Sequence, residues 1–188
     1  YTRSGITPAN RLSRFTVSNF DDNVADPTSE LVLLDDIPVA ANIHNGGAMA
    51  FGHDGMLYLG IGDGVLTGNV QDLSSLNGKL LRLDMRNYPT IIPSDNPFVG
   101  TVGARGEIYA LGLRNPFKLD VHPVDGRIWI TNTGDASFEE IHEARAGANF
   151  GWPLYEGSTD APAFDDPVYS YPYGSGAAIA GGVFYRGN

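Results

Sequence analysis

The sequence predicts an all-β chain assembled from propeller-type blades, on the strength of a repeat, a turn chemistry and a composition. Nine residues, Phe51-Gly52-His53-Asp54-Gly55-Met56-Leu57-Tyr58-Leu59, are answered without a gap 71 residues later by His122-Pro123-Val124-Asp125-Gly126-Arg127-Ile128-Trp129-Ile130. Each copy reads as a short apolar strand, an Asp-Gly turn and a second strand of aromatic and branched residues. Asp-Gly favours the left-handed geometry of a two-residue hairpin turn, so each unit is expected to be antiparallel. The 24 glycines and 12 prolines suit many short strands joined by tight turns.

In chain order, Arg11–Thr16 reads as a strand of a first unit and Glu30–Leu34 as its outer strand. The Phe51–Leu59 hairpin opens a second unit, whose next strand, Lys79–Asp84, alternates in side-chain direction and resembles Arg11–Thr16. The His122–Ile130 hairpin opens a third unit, with Glu140–Ala144 as a weaker counterpart of Lys79–Asp84. Gly181–Tyr185 reads as the inner strand of a further unit. The intervals Tyr88–Gly106 and Tyr155–Gly176 are rich in Pro, Gly and polar residues and have no sustained helical period, which marks them as inserted loops. Within the second, Tyr169, Tyr171 and Tyr173 alternate as in a strand, for blade packing or for stacking on a sugar. A sandwich would also yield short alternating strands. About three blades cannot close a ring, and an open fragment exposes an unpaired inner edge. Residues 1–188 are therefore expected to be one partial propeller domain, incomplete at both ends. The remaining blades are expected from the parent chain or another chain.

Hydrophobic residues at 42% and charged residues at 18% form a globular balance. The net charge of −10 repels nucleic acid and anionic membrane surfaces, and it is compatible with a neutral substrate or bound calcium. No apolar run is long enough to span a membrane. The absence of cysteine excludes disulfides and thiolate metal sites.

The 71-residue register sets His44 against Asn115, beside Arg114, and both positions precede inner strands. Equivalent positions of neighbouring blades meet around a central channel, so His44 and Arg114 are expected to converge on one end of it. A titratable base near a fixed cation suits proton removal with stabilisation of a developing anion. Gly46 and Gly47 let the backbone there pass close to a ligand or a neighbouring strand. The structural alternatives are a histidine bonded to backbone at a blade entrance and an arginine tying blade ends together. Gly60-Ile61-Gly62-Asp63-Gly64 is not a dinucleotide fingerprint and reads as a blade turn. No nucleophile-elbow serine motif is present. His53, His122 and His142 lack zinc-type spacing and read as turn or surface residues.

Several segments follow one another in the order of a known family. They are His44-Asn45-Gly46-Gly47, the Phe51–Gly64 hairpin, Gln71-Asp72-Leu73, Asn77–Asp84, Pro93–Phe98, Glu107–Pro116, Asn149-Phe150-Gly151-Trp152-Pro153 and Ala180–Gly187. With them the chain resembles, over nearly its whole length, the soluble glucose/sorbosone and aldose sugar dehydrogenases that use pyrroloquinoline quinone. The resemblance implies a six-bladed β-propeller, of which this chain would be a central fragment of about three blades. It implies a periplasmic or secreted quinoprotein that oxidises an aldose-type hydroxyl and passes electrons to an external acceptor. His44 would take the sugar's proton, Arg114 would stabilise the oxyanion on the quinone, and Asn115 would contact the quinone. Gly134 and Asp135 match the loop that holds the catalytic calcium, and Glu140 matches a residue of a second, structural calcium. Ile43 stands where the glucose enzymes carry an Asp, and Phe117 and Thr133 stand where they carry glutamines. The basic residues that clamp the quinone's carboxylates belong to later blades of the family. The same fold family includes a binding module, so a non-catalytic extracellular binding or scaffold propeller is the alternative. A propeller lactonase would need a clustered acidic metal cage, which the sequence does not display.

Overall fold

A computed structural model describes residues 1–3, 8–185 and 187. Among the described residues, eleven strands form three antiparallel sheets, and the helical pieces are three-residue 3-10 turns. Blade I contains β1 (Thr2–Arg3), β2 (Ala9–Arg14) and β3 (Leu31–Pro38) in the order β1-β2-β3. Blade II contains β4 (Gly46–Phe51), β5 (Leu57–Ile61), β6 (Lys79–Leu83) and β7 (Ile108–Leu111), in chain order across the sheet. Blade III repeats that meander with β8 (Pro116–Val121), β9 (Ile128–Asn132), β10 (Phe138–Glu143) and β11 (Tyr169–Pro172).

The hairpins are antiparallel, but their turns are longer than two residues. Gly52 N–H donates to the Met56 carbonyl at 3.0 Å, and His122 N–H to the Arg127 carbonyl at 2.7 Å. A two-residue type I′ turn needs positive φ at both central positions. Here only the glycines comply, Gly55 at φ 76° and Gly126 at φ 75°. Each aspartate instead accepts the N–H two residues on, Met56 at 3.0 Å for Asp54 and Arg127 at 3.1 Å for Asp125. That side-chain turn competes with the left-handed one.

Blade II is covered on both sides, which makes β5 and β6 buried at every position. Successive strand residues point to opposite faces. Leu57, Leu59, Ile61, Leu81 and Leu83 accordingly pack with Leu34 and Ile37 of blade I. Tyr58 and Leu80 pack with Leu119, Ile128 and Ile130 of blade III. A bulge sets Leu80 opposite Ala110 but Leu81 opposite Ile108, so Tyr109 is the extra residue. Ile108 thereby joins the first core and Ala110 the second. The alternation expected of Lys79–Asp84 sorts residues between two cores rather than between core and solvent.

Two further expectations change. Gly181–Tyr185 is irregular rather than an inner strand; it docks on blade III through Phe184, whose N–H donates to Asp120 Oδ2 at 2.7 Å. Its ring stands edge-on to His122 and Trp129, and side-chain docking replaces ladder pairing. Arg186, within the expected Ala180–Gly187 motif, lies outside the described residues. The Tyr155–Gly176 interval contains β11, the outer strand of blade III, in register with β10 from Phe138↔Pro172 to Ile141↔Tyr169.

Leu81 is fully buried between blades I and II, so Leu81→Ala is expected to cost about 2–5 kcal/mol, read from the urea midpoint. Val102→Ala, at a fully exposed position, is expected to change stability by no more than about 0.5 kcal/mol. At the end of β6, hydrogen bonds from the Arg86 side chain and then its backbone N–H hold the Asp84 carboxyl down at about 2. An unfolded aspartate titrates near about 3.9, so this contribution is present above that pH and disappears as pH falls toward about 2. Acid titration of stability in Asp84→Asn is expected to lose that part of its slope.

Candidate functional site at the channel mouth

The start of each inner strand and the end of the strand paired with it fall at one end of a blade. In blade II, Gly46 pairs with Ile61, and in blade III, Pro116 pairs with Asn132. His44, just before β4, therefore meets the Gly62-Asp63-Gly64 turn after β5. Arg114 and Asn115, just before β8, meet Thr133-Gly134-Asp135 after β9. Blades II and III touch here: the Asp63 N–H donates to the Arg114 carbonyl at 2.7 Å, and the Gly46 N–H to Asn115 Oδ1 at 3.1 Å.

His44 Nδ1 lies 2.9 Å from Asp63 Oδ1. The ring is 19% exposed and the carboxylate 1%. An ionised carboxylate can only accept, so Nδ1 is the donor of this pair, and in the neutral imidazole Nε2 carries the lone pair as the basic atom. Asp63 Oδ1 also accepts the Val65 N–H at 2.8 Å, and Oδ2 accepts the Trp152 indole N–H at 3.0 Å. The guanidinium of Arg114 lies 5.6 Å from the Trp152 ring centroid. His44, Asp63, Trp152 and Arg114 thus form a continuous chain of contacts. The structure brings His44, Arg114 and Asn115 to one mouth.

The local backbone is strained in order to do this. His44 at φ 55° and Val65 at φ 64° adopt the left-handed region that non-glycine residues avoid. The Gly64 N–H fixes the His44 carbonyl at 3.0 Å. A Cβ on Gly62 would stand 2.0 Å from the His44 oxygen, so only glycine allows this approach. Behind the turn, Asn77 Nδ2 donates to the Pro38 carbonyl at 2.9 Å, and Gly78 N–H to the Gly62 carbonyl at 3.1 Å. The Lys79 ammonium is enclosed by the carbonyls of Asn69, Val70 and Asn77 at 3.1, 2.7 and 2.7 Å. Burial pushes its pKa down to about 7, and the Asp72 charge works against that shift.

Arg114 donates to the carbonyls of Gly134 at 2.5 Å and Thr133 at 3.4 Å, and to Asp135 Oδ1 at 2.8 Å. Its Nε is buried and has no acceptor among the described residues. Two carbonyls and a carboxylate gathered around a cation form a hard-oxygen donor set that suits calcium. The unmet Nε suits an anionic ligand, and Asn115, whose Oδ1 is engaged by Gly46, keeps its amide NH2 as a donor. The donor chemistry of this mouth suits both implied groups, although Arg114 itself now holds the Gly134 and Asp135 oxygens that a calcium ion would use. The Glu156 carboxylate cradles the same loop, accepting the N–H groups of Asp135, Ala136 at 3.4 Å and Ser137 at 2.9 Å.

Glu140 does not fit a second cation. It is buried, and its oxygens accept from Asn132 Nδ2 at 2.8 Å, His142 Nε2 at 3.1 Å and Gly157 N–H at 2.6 Å. His142 is no surface residue: it is fully buried, and its ring centroid lies 4.3 Å from that of Phe150. Three donors point where a cation would need open lone pairs. Among the described residues, no group of three or more His, Cys, Asp or Glu side chains could hold a metal ion. Glu140 and Asn132, which in turn accepts the Arg114 and Asn115 N–H groups at 3.0 Å, brace the loop from behind. Sequence reasoning assigned Asp63 to a turn and did not single out the side chains of Trp152 or Glu156. The Asp between two glycines directly after a strand was the available signal for the first.

Fold and site together define a class: a propeller blade assembly with an imidazole–carboxylate pair and a guanidinium at one channel end. The glucose/sorbosone dehydrogenase family model matches residues 2–188, and the chain belongs to that family. It is 34% identical over 145 residues to an aldose sugar dehydrogenase of Escherichia coli K12, covering 76% of this chain and 37% of that protein. It is 31% identical over 188 residues to the human hedgehog-interacting protein, covering 94% of this chain and 26% of that one. The solved PQQ-bound aldose sugar dehydrogenase of Streptomyces coelicolor matches with TM-score 0.76 and 30% identity, over 91% of this chain and 48% of that one. The chain thus spans less than half the length of these relatives.

Glu140→Gln is expected to destabilise the protein by about 3 kcal/mol, because buried donors lose their anionic acceptor. Thermal melts with calcium and with a chelator are expected to show the same difference between variant and parent.

Proposed function

We propose that this chain supplies the base and the anion-stabilising cation of a sugar dehydrogenase that uses pyrroloquinoline quinone and calcium. The observation that carries the reading is the His44–Asp63 pair, with Nε2 as its basic atom, beside Arg114 in a chain of this family. Nε2 of His44 would withdraw the proton of an aldose-type hydroxyl, and Asp63 would hold the ring and balance the imidazolium. As that proton leaves, electron density rises on the carbon and its hydride departs more readily. When bound, the quinone would supply the hydride acceptor, and calcium, which the Thr133, Gly134 and Asp135 oxygens would hold, would supply a Lewis acid. Arg114 and the Asn115 amide would face the charge that develops on the bound acceptor. An external electron acceptor would complete the cycle, and the remaining blades would close one propeller domain around the channel. A periplasmic or extracellular location agrees with the family resemblance. Among the described residues no helix is long and apolar enough to cross a membrane.

A second reading, a non-catalytic binding propeller, is favoured by one observation. Arg114 already satisfies the Gly134 and Asp135 oxygens that calcium would use. The similarity to the hedgehog-interacting protein is consistent with it.

Sugar-dependent dye reduction, measured after adding the quinone and calcium, tests the first reading. His44→Ala is expected to lower the rate by about 10²–10⁴-fold. Unchanged activity in that variant defeats the assigned base. No uptake of quinone at micromolar concentration favours the binding module.

A further inference from the structure

We propose that Trp152 is a positioning residue of the mouth: its indole N–H fixes the plane of the Asp63 carboxylate that orients His44, and its ring face seats Arg114. This rests on the function proposed above, and it concerns a residue which that reading leaves without a role.

The carboxylate torsion of an aspartate is broad and roughly two-fold, so hydrogen bonds to one oxygen alone define the plane of the group loosely. In Asp63, Oδ1 serves both His44 and the Val65 N–H. The Trp152 bond to Oδ2, at 3.0 Å, adds a second anchor on the far oxygen and narrows that torsion, and among the described residues it is the one hydrogen bond to Oδ2. The same ring carries the guanidinium 5.6 Å from its centroid, so one side chain references base and cation to each other.

The loop that presents Trp152 is itself clasped to blade II. Gln71 and Asn149 exchange amide hydrogen bonds at 2.8 and 3.1 Å, and Gln71 Nε2 also donates to the Trp152 carbonyl at 2.7 Å. The Trp152 N–H donates to the Gly112 carbonyl at 3.1 Å. Gly112, at φ 83°, has no room for a Cβ, which would lie 2.4 Å from Asn149 Oδ1. The other tryptophan makes the contrast. Trp129 has no hydrogen-bond partner for its buried indole nitrogen among the described residues and packs on Phe184 and Arg127, as a space-filling residue does.

With two tryptophans in the chain, the protein is expected to show two indole N–H signals by nitrogen-15 NMR, and Trp129→Phe would identify that of Trp152. Asp63→Asn is expected to speed hydrogen exchange at the Trp152 indole about ten-fold, the loss of a bond to a charged acceptor. Trp152→Phe, which keeps a ring under Arg114 and removes the donor, is expected to move the ring-nitrogen signals of His44. Gln71→Ala, which loosens the clasp from blade II, is expected to move them in the same direction and covers the case in which Trp152→Phe does not fold. None of these readouts needs the cofactor, so they decide the proposal even where the protein fails to oxidise a sugar. In the active enzyme, Trp152→Phe is expected to lower kcat about ten-fold with KM little changed, and to have no further effect in an Asp63→Asn background. Indole exchange indifferent to Asp63→Asn, or His44 signals indifferent to both Trp152→Phe and Gln71→Ala, overturns the proposal.

Discussion

The carboxylate of Asp63 accepts hydrogen bonds from the His44 ring, the Val65 backbone and the Trp152 indole, while its own N–H reaches the Arg114 carbonyl. Those groups come from the entrance of β4, the turn after β5, the loop before β11 and the entrance of β8. A carboxylate with 1% exposure is costly unless its lone pairs are met, and three donors meet them here. Loss of this one group would leave the imidazole, the indole and the Val65 amide without an acceptor at the junction of two blades. The mouth depends on it more than on either of the residues it serves.

The blade architecture explains why such a junction exists. Antiparallel meanders bring the start of an inner strand beside the end of its partner, so each blade offers two loops at one end. Packing blade II between two neighbours then sets its loops against theirs. That packing is hydrophobic and non-directional, and it determines which faces meet. The polar contacts at the mouth determine the angle at which side chains face the opening. The left-handed backbone at His44 and Val65 is held by that surrounding structure, with Gly62 leaving the space for it.

The buried polar groups of blade III carry the same logic one step outward. Glu140 collects Asn132, His142 and the Gly157 amide, and Asn132 then holds the backbone that leads into Arg114 and Asn115. Glu156 gathers the amides of Asp135, Ala136 and Ser137. Protein donors fill places that oxygen-rich loops elsewhere give to cations. The loop at Thr133–Asp135 keeps its oxygens turned toward a positive charge, and Glu140 does not.

By itself the sequence determined the antiparallel hairpins, their 71-residue spacing, the strand at Lys79 and the placement of His44 and Arg114 before inner strands. These are local: alternation, Asp-Gly turns and a repeat are written in neighbouring residues. Their finer geometry was less legible, because Asp54 and Asp125 could close the turn through side chains or through left-handed backbone. Gly181–Tyr185 has the composition of a strand, yet ladder pairing depends on a neighbour that composition does not name. The tertiary structure alone decided that Asp63 is a partner of His44 rather than a turn residue, that Trp152 lies between the Asp63 carboxylate and the Arg114 guanidinium, and that His142 is buried on Glu140. Each of those contacts joins residues whose meeting depends on how the chain packs, and a buried polar group reveals its role only when its donors and acceptors are in place.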